Sequence, residues 1–214
     1  MTDILLIRHG ETDWNAEKRL QGHLDIPLNA AGQRQAAALG QALRHEALDA
    51  IIASDLQRAR QTAQAIAVPR GMVVQANAGL RERCYGGFEG LLHAEIGARY
   101  PDAYAAWKAR DMDARYPPGA QVAETLREFS VRAVGAITRL VRDGRYRKVA
   151  LVTHGGVLEC AYRAATGIGF AHARDFDIFN ASINRMHWDG SSLRIEQWAD
   201  IAHLTPAALD EIDR

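Results

Sequence analysis

The amino-acid sequence predicts an α/β protein: a three-layer α/β/α arrangement, with a mostly parallel sheet, helices on both faces and a helical or loop cap over the carboxyl edge of the strands. Three observations point there. Short apolar runs alternate with stretches of helical periodicity along most of the chain. Two of those runs, Leu5-Leu6-Ile7 and Val149-Ala150-Leu151-Val152, stop at a polar residue, a histidine and a glycine. Between them lies a middle segment rich in turn residues and interrupted by proline.

Taken in order, Leu5-Leu6-Ile7 reads as a buried strand that delivers Arg8 and His9 to the sheet edge, where Gly10 lets the backbone turn. Residues 10–31 form a long polar connection, and loops of that length in a compact domain are usually functional. Residues 32–46 read as a helix, with Ala36, Leu39 and Leu43 at helical spacing. Residues 49–54 are a second buried strand, 56–68 a helix stopped by Pro69, and 72–76 a short third strand. Residues 79–90 hold Arg81, Glu82, Arg83 and Tyr85 among glycines and read as a loop.

Residues 93–110 are expected to be helical with a break near Pro101, and a long helix follows the Pro117-Pro118-Gly119 breaker over about 122–142. We read 91–119 as a cap within a single domain spanning 1–214, because it holds too few large apolar residues for its own core. Residues 148–154 repeat the opening design and lead through Gly155-Gly156 into a helix over 157–166. Asp189-Gly190-Ser191-Ser192 between apolar runs at 183–188 and 193–198 signals a hairpin. Residues 204–212, opening with Thr205-Pro206, read as a terminal helix.

Composition narrows the function. The hydrophobic share of 48% and charged share of 24% are those of an ordinary globular chain. Formal net charge is zero and no Lys/Arg block stands out, so neither a nucleic acid nor an anionic membrane surface is an expected partner. No run approaches the length of a membrane span, and the start is too short and polar for a signal peptide, so a cytoplasmic location is expected. Cys84 and Cys160 give neither a disulfide framework nor a metal spacing. A homodimer is left open.

The strand ends and adjacent loops bring together Arg8, His9, Ser54 with Arg58 one turn on, Glu82, and His154-Gly155-Gly156. Two histidines, two arginines and a carboxylic acid converging on one edge suit a phosphoryl group. A guanidinium fork matches phosphate oxygens and keeps its charge. A helix starting at Gly155 would add backbone donors. A neutral imidazole is a competent nucleophile, and a protonated carboxylic acid can supply the leaving oxygen with a proton. His23, His45, His172, His187 and His203 have no partner by spacing and read as surface or loop residues. Trp14 and Trp188 read as packing residues, and Asp55 and Glu89 as structural. No metal site is expected.

The residues Arg8-His9-Gly10-Glu11-Thr12, Ser54-Asp55-Leu56-Gln57-Arg58-Ala59, Leu80-Arg81-Glu82 and Thr153-His154-Gly155-Gly156 resemble the motifs of the histidine phosphatase superfamily, the phosphoglycerate-mutase-like clan. The resemblance runs from Ile4 to about Asn184. It implies a metal-free phosphohistidine mechanism: His9 attacks phosphorus, Arg8, Arg58 and His154 hold the transferring group, and Glu82 protonates the leaving oxygen and then activates water. It also implies that Asn15, Gln21, Gly22 and Gly155 line the phosphate pocket.

Two outcomes share that pocket in the family. The run Glu82-Arg83-Cys84-Tyr85-Gly86 resembles the mutase branch, where the arginine and tyrosine contact the substrate, although histidine stands there at the Cys84 position. Gln21-Gly22 resembles the phosphatase branch. The mutases' substrate-binding lysine position corresponds to His93, their arginine pair to Lys108-Ala109, and the Gly-Glu-Ser after the cap to Gly119-Ala120-Gln121. Residues 199–204 resemble small phosphatases of this clan. The expectation is a phosphomonoesterase of small phosphorylated metabolites with no cofactor. The runner-up is a phosphoglycerate mutase requiring 2,3-bisphosphoglycerate, and a remote third is an inactive phospho-ligand or partner-binding relative.

Overall fold

Strand residues alternate between two helical layers, and that alternation builds the core. The structure is a computed structural model that describes residues 1–204; the terminal helix expected over 204–212 falls outside them from residue 205 on. β1 (Thr2–Arg8), β2 (Ala50–Ala53), β3 (Val74–Ala76), β4 (Lys148–Thr153), β5 (Ile183–Trp188) and β6 (Leu193–Asp200) form one sheet in the order β3-β2-β4-β1-β5-β6. The β2–β3, β2–β4 and β1–β4 pairings are parallel, and β1–β5 and β5–β6 antiparallel, giving the expected mostly parallel sheet with a hairpin at one edge.

Seven α-helices accompany the strands among the described residues: α1 (Asp13–Ala16), α2 (Ala30–Ala42), α3 (Gln57–Ala67), α4 (His93–Arg99), α5 (Pro101–Lys108), α6 (Leu126–Val141) and α7 (Gly155–Thr166). Ile4, Leu6, Ile52, Val149 and Leu151 face Phe129, Ala133 and Ile137 of α6 and Val157, Leu158 and Ala161 of α7. Their neighbours Leu5, Ile7, Ile51, Ala150 and Val152 face Leu39 of α2 and Ala59, Ala63 and Ile66 of α3. A period of two on each strand therefore feeds both layers, which is why these strands are apolar throughout.

Boundaries moved where caps took over. α2 begins at Ala30, two residues before the expected start, because the Asn29 side chain accepts the Gly32 N–H. α6 begins at Leu126 rather than 122, because Thr125 and Glu128 form a capping box. α7 begins at Gly155, directly after β4. Pro69 closes α3 through a short 3-10 turn, Val68–Arg70.

The cap packs onto the body through a cluster shared with residues outside it, Phe88 and Ala123 among them. Residues 91–119 contribute to this small cluster, built from aromatics rather than aliphatics: Tyr116 and Ile96 with Phe88, flanked by Tyr100, Tyr104 and Trp107. The Phe88 and Tyr116 rings stack with centroids 4.5 Å apart. Aromatic side chains bury more area each, so few of them suffice. The break at Pro101 is as expected and separates α4 from α5. The Leu20 N–H donates to the Leu91 carbonyl at 3.0 Å and fixes the cap to the loop after β1.

Candidate active site

β1 and β4 pair in parallel with Arg8 opposite Thr153, so the next residues, His9 and His154, leave the sheet side by side. Their rings meet edge to face with centroids 5.1 Å apart. Both are buried. Nδ1 of His9 lies 2.6 Å from the Gly10 carbonyl oxygen. A carbonyl can only accept, so Nδ1 carries the proton and Nε2 keeps its lone pair. His154 is the reverse. Arg58 Nε–H donates to its Nδ1 at 3.2 Å, so the proton sits on Nε2. That Nε2 is buried and has no hydrogen-bond partner among the described residues.

Burial, reinforced by the Arg58 and Arg8 charges, holds the His9 imidazole well below its usual pKa of 6.5. His154 is lowered in the same direction, again by burial first and then by Arg58 and His9. Neutral imidazoles are therefore the resting state. Arg58 is itself buried and pushed down to about 10 by desolvation, still well above neutrality. It also donates from Nη1 to the Leu24 carbonyl at 2.9 Å and from Nη2 to the Gly22 carbonyl at 2.8 Å. Three of its N–H groups are thus committed, and two of a guanidinium's five remain. Arg8 donates from Nη1 to the Ile178 carbonyl at 2.8 Å.

The structure brings the expected residues together. Arg8, His9, Asn15, Gln21, Gly22, Arg58, Glu82, Arg83, Tyr85 and Gly155 all line one cavity of about 800 Å³. His154 packs against His9 and Arg58, which do line the cavity, and Ser54 does not; the Ser54 hydroxyl accepts the Leu56 N–H instead. Gly22 has φ +54, and a Cβ there would collide with Glu89, whose Oε1 accepts N–H groups from His23 and Tyr85. The structural reading of Glu89 stands, as does that of Asp55, which takes a two-toothed ion pair from Arg81 at 2.7 and 2.6 Å.

Glu82 accepts the N–H of Arg83 at 2.8 Å and of Gly156 at 2.9 Å. The expectation that the start of α7 serves phosphate is corrected in part, because the Gly156 donor is spent on this carboxylate. The same contact makes Gly156 obligatory: a Cβ there would stand 2.2 Å from Glu82 Oε1. A Gly156→Ala variant should fold yet displace Glu82, cutting kcat/KM by about 10²-fold on an alkyl phosphate, with a much smaller effect on an aryl phosphate. Steady-state kinetics on the two esters checks this.

The structure gives partners to several residues whose sequence spacing shows none. His23 is not a loose loop residue: its Nε2 lies 2.8 Å from the Glu82 carbonyl oxygen and its Nδ1 3.0 Å from Gln121 Oε1. His45 and His203 are surface or loop residues as expected, with His45 exposed beside Arg44 and His203 near the Ala181 carbonyl, whereas His187 lies on β5 and pairs with Asp3. Trp14 lines the cavity, whereas Trp188 is buried core as expected. Asn180 was missed altogether; it donates to the His9 carbonyl at 3.1 Å and approaches Asn15 Oδ1 at 3.5 Å. An acidic residue and a helix-capping hydroxyl do follow the cap, at Glu124 and Thr125 rather than within 119–121. Asp3 on β1, His187 on β5 and Glu196 on β6 bring three metal-capable atoms within 4.8 Å of one another, a grouping that sequence spacing does not show.

A lone-pair imidazole, an N–H imidazole and two arginines gathered at the carboxyl edge of a parallel sheet define a phosphate-handling α/β protein of the histidine type. The chain belongs to the histidine phosphatase superfamily (branch 1), whose family model matches residues 4–201. It is 36% identical over 206 residues to phosphoglycerate mutase-like protein 4 of Arabidopsis thaliana, covering 94% of this chain and 86% of that one. It is 34% identical over 210 residues to the metal-independent phosphoserine phosphatase of the same plant, covering 96% and 84%. Among solved structures, Bacillus stearothermophilus YhfR superposes with a TM-score of 0.85 at 31% identity, covering 95% of this chain and 99% of that one.

Proposed function

We propose that this protein is a metal-independent phosphomonoesterase that acts on small phosphorylated metabolites through a phosphohistidine on His9. The observation that carries the reading is the opposed protonation of the two buried imidazoles: His9 presents a lone pair where His154 presents an N–H. His9 Nε2 would bond to phosphorus while the bond to the leaving oxygen breaks. Arg8, the two remaining Arg58 donors and His154 Nε2–H would meet the transferring oxygens, whose charge they stabilise without reorganising. Asn15, Gln21 and the Gly155 N–H would complete that cradle. Glu82 would pass a proton to the leaving oxygen, then take one from water as hydroxide displaces His9 from phosphorus.

A mutase reading stays second. Arg83, whose guanidinium lies 4.4 Å from the Tyr116 ring centroid, and Tyr85 both line the cavity next to Glu82, where a hydroxy acid could be held. That outcome would need 2,3-bisphosphoglycerate; the phosphatase needs no cofactor. No helix among the described residues is long and apolar enough to cross a membrane, and work on metabolites fits the cytoplasm. A homodimer is compatible with either reading.

The test uses p-nitrophenyl phosphate and 3-phosphoglycerate with a chelator present. Phosphate release that resists the chelator, and is not accelerated by 2,3-bisphosphoglycerate, is the expected result. Bisphosphate-dependent formation of 2-phosphoglycerate that outpaces phosphate release would replace the phosphatase reading with the mutase one.

A further inference from the structure

Glu82 stands on a stretch, residues 81–85, with no helix or strand of its own, and a proton donor on such a segment must be held by something rigid. Helix α6 supplies the hold through Arg132. Its Nη1 donates to the carbonyls of Gly79 at 3.1 Å and Arg81 at 3.0 Å, and its Nη2 to the carbonyl of Glu82 at 2.9 Å. Nε and Nη2 also bond Glu124 Oε1 at 2.6 Å and Oε2 at 2.7 Å. These five bonds match the five N–H groups of a guanidinium, so none is left over.

Glu124 extends the same clamp along the loop. Its carboxylate accepts the Cys84 N–H at 2.9 Å, and its carbonyl accepts Arg83 Nε at 3.0 Å. Burial opposes the charged form of Glu124, but the Arg132 hydrogen bonds and the Cys84 N–H outweigh it and hold the carboxyl below its usual pKa. One ion pair therefore addresses residues 79, 81, 82, 83 and 84. Arg132 is not among the residues that line the cavity.

We propose that Arg132, held by Glu124, is a positioning residue that fixes where the Glu82 carboxylate stands, and so controls protonation of the leaving group without touching substrate. This rests on the phosphomonoesterase reading. Lysine has three donors on a flexible stem and could not reproduce five fixed bonds.

The experiment compares wild type with Arg132→Met, Arg132→Lys and the milder Glu124→Gln, on p-nitrophenyl phosphate and on an alkyl phosphate, alongside Glu82→Gln. A good leaving group scarcely needs a proton; an alkoxide does. Both Arg132 variants should lose roughly 10²-fold in kcat/KM, which reports phosphorylation of His9, on the alkyl ester and under ~3-fold on the aryl ester, following the Glu82→Gln pattern. Glu124→Gln should show the same asymmetry in weaker form, and it decides the matter if the Arg132 variants fail to fold. Equal losses of kcat/KM on both esters, no loss, or full rescue by lysine would overturn the positioning role while leaving the phosphatase reading intact. A wild type that hydrolyses neither ester would overturn both.

Discussion

Replacing His9 by alanine should lower kcat for every phosphomonoester by at least about 10⁴-fold, because no other side chain can accept the phosphoryl group in its place. His154 is the obvious understudy, but its Nδ1 lone pair is engaged by Arg58 and its Nε2 carries a proton. It can donate to a phosphoryl oxygen; it cannot attack phosphorus without surrendering the Arg58 bond. The loss should be independent of the leaving group, since the nucleophile is needed for all of them, and in kcat/KM this separates His9→Ala from Glu82→Gln, whose loss there falls on poor leaving groups. Phosphate release over hours, compared with wild type on an aryl and an alkyl ester, measures it. Residual activity within tenfold of wild type would mean that another group is the nucleophile.

Stability should fall as pH drops below 6.5, and the two buried histidines should account for most of the fall. The sign follows from their environment. Both His9 and His154 have folded-state pKa values lowered well below 6.5 by burial and neighbouring arginines. Above pH 6.5 they are neutral in both folded and unfolded chains and contribute no pH dependence. Below it the unfolded chain binds protons that the folded chain refuses, so unfolding is favoured until the folded pKa values are reached. The slope approaches about 1.4 kcal/mol per pH unit for each histidine, or about 2.7 for the pair. His203, lowered mainly by its own burial, adds in the same direction. Urea unfolding between pH 7.5 and about 5.5 isolates this effect, because unfolded carboxylates titrate lower, near 4. His9→Ala should flatten the slope by about half of the pair's share; an unchanged slope would show that His9 is already charged when folded.

The residues that could be read from sequence are those the chain delivers by local rules. His9 and His154 follow apolar runs too short to be anything but buried strands, and parallel pairing of β1 with β4 put them side by side. Arg58 opens a helix directly after a strand, so its place near the edge followed from strand-turn-helix order. Asn180 and Arg132 obey no such rule. Asn180 meets the His9 carbonyl from 171 positions away in the chain, and Arg132 meets the Glu82 carbonyl from 50. Nothing near either residue marks it as more than an Asn in a turn or a solvated helix arginine. His23 is alike in this: its partners, Glu82 and Gln121, lie on separate loops. The cluster under the cap joins Phe88, outside residues 91–119, to Tyr116 within them, too far apart in sequence to show a period.

The central claim is a covalent phosphoryl–His9 intermediate, and trapping it is the most direct measurement. The enzyme is mixed with a large excess of p-nitrophenyl phosphate, quenched in alkali and digested, and the peptides are sequenced by mass spectrometry. The account predicts an acid-labile, alkali-stable phosphoryl group on the peptide carrying His9, present in Glu82→Gln under the same quench and missing from His9→Ala. Phosphate on His154, or turnover with no labelled peptide under conditions that resolve a first-turnover burst, would contradict it.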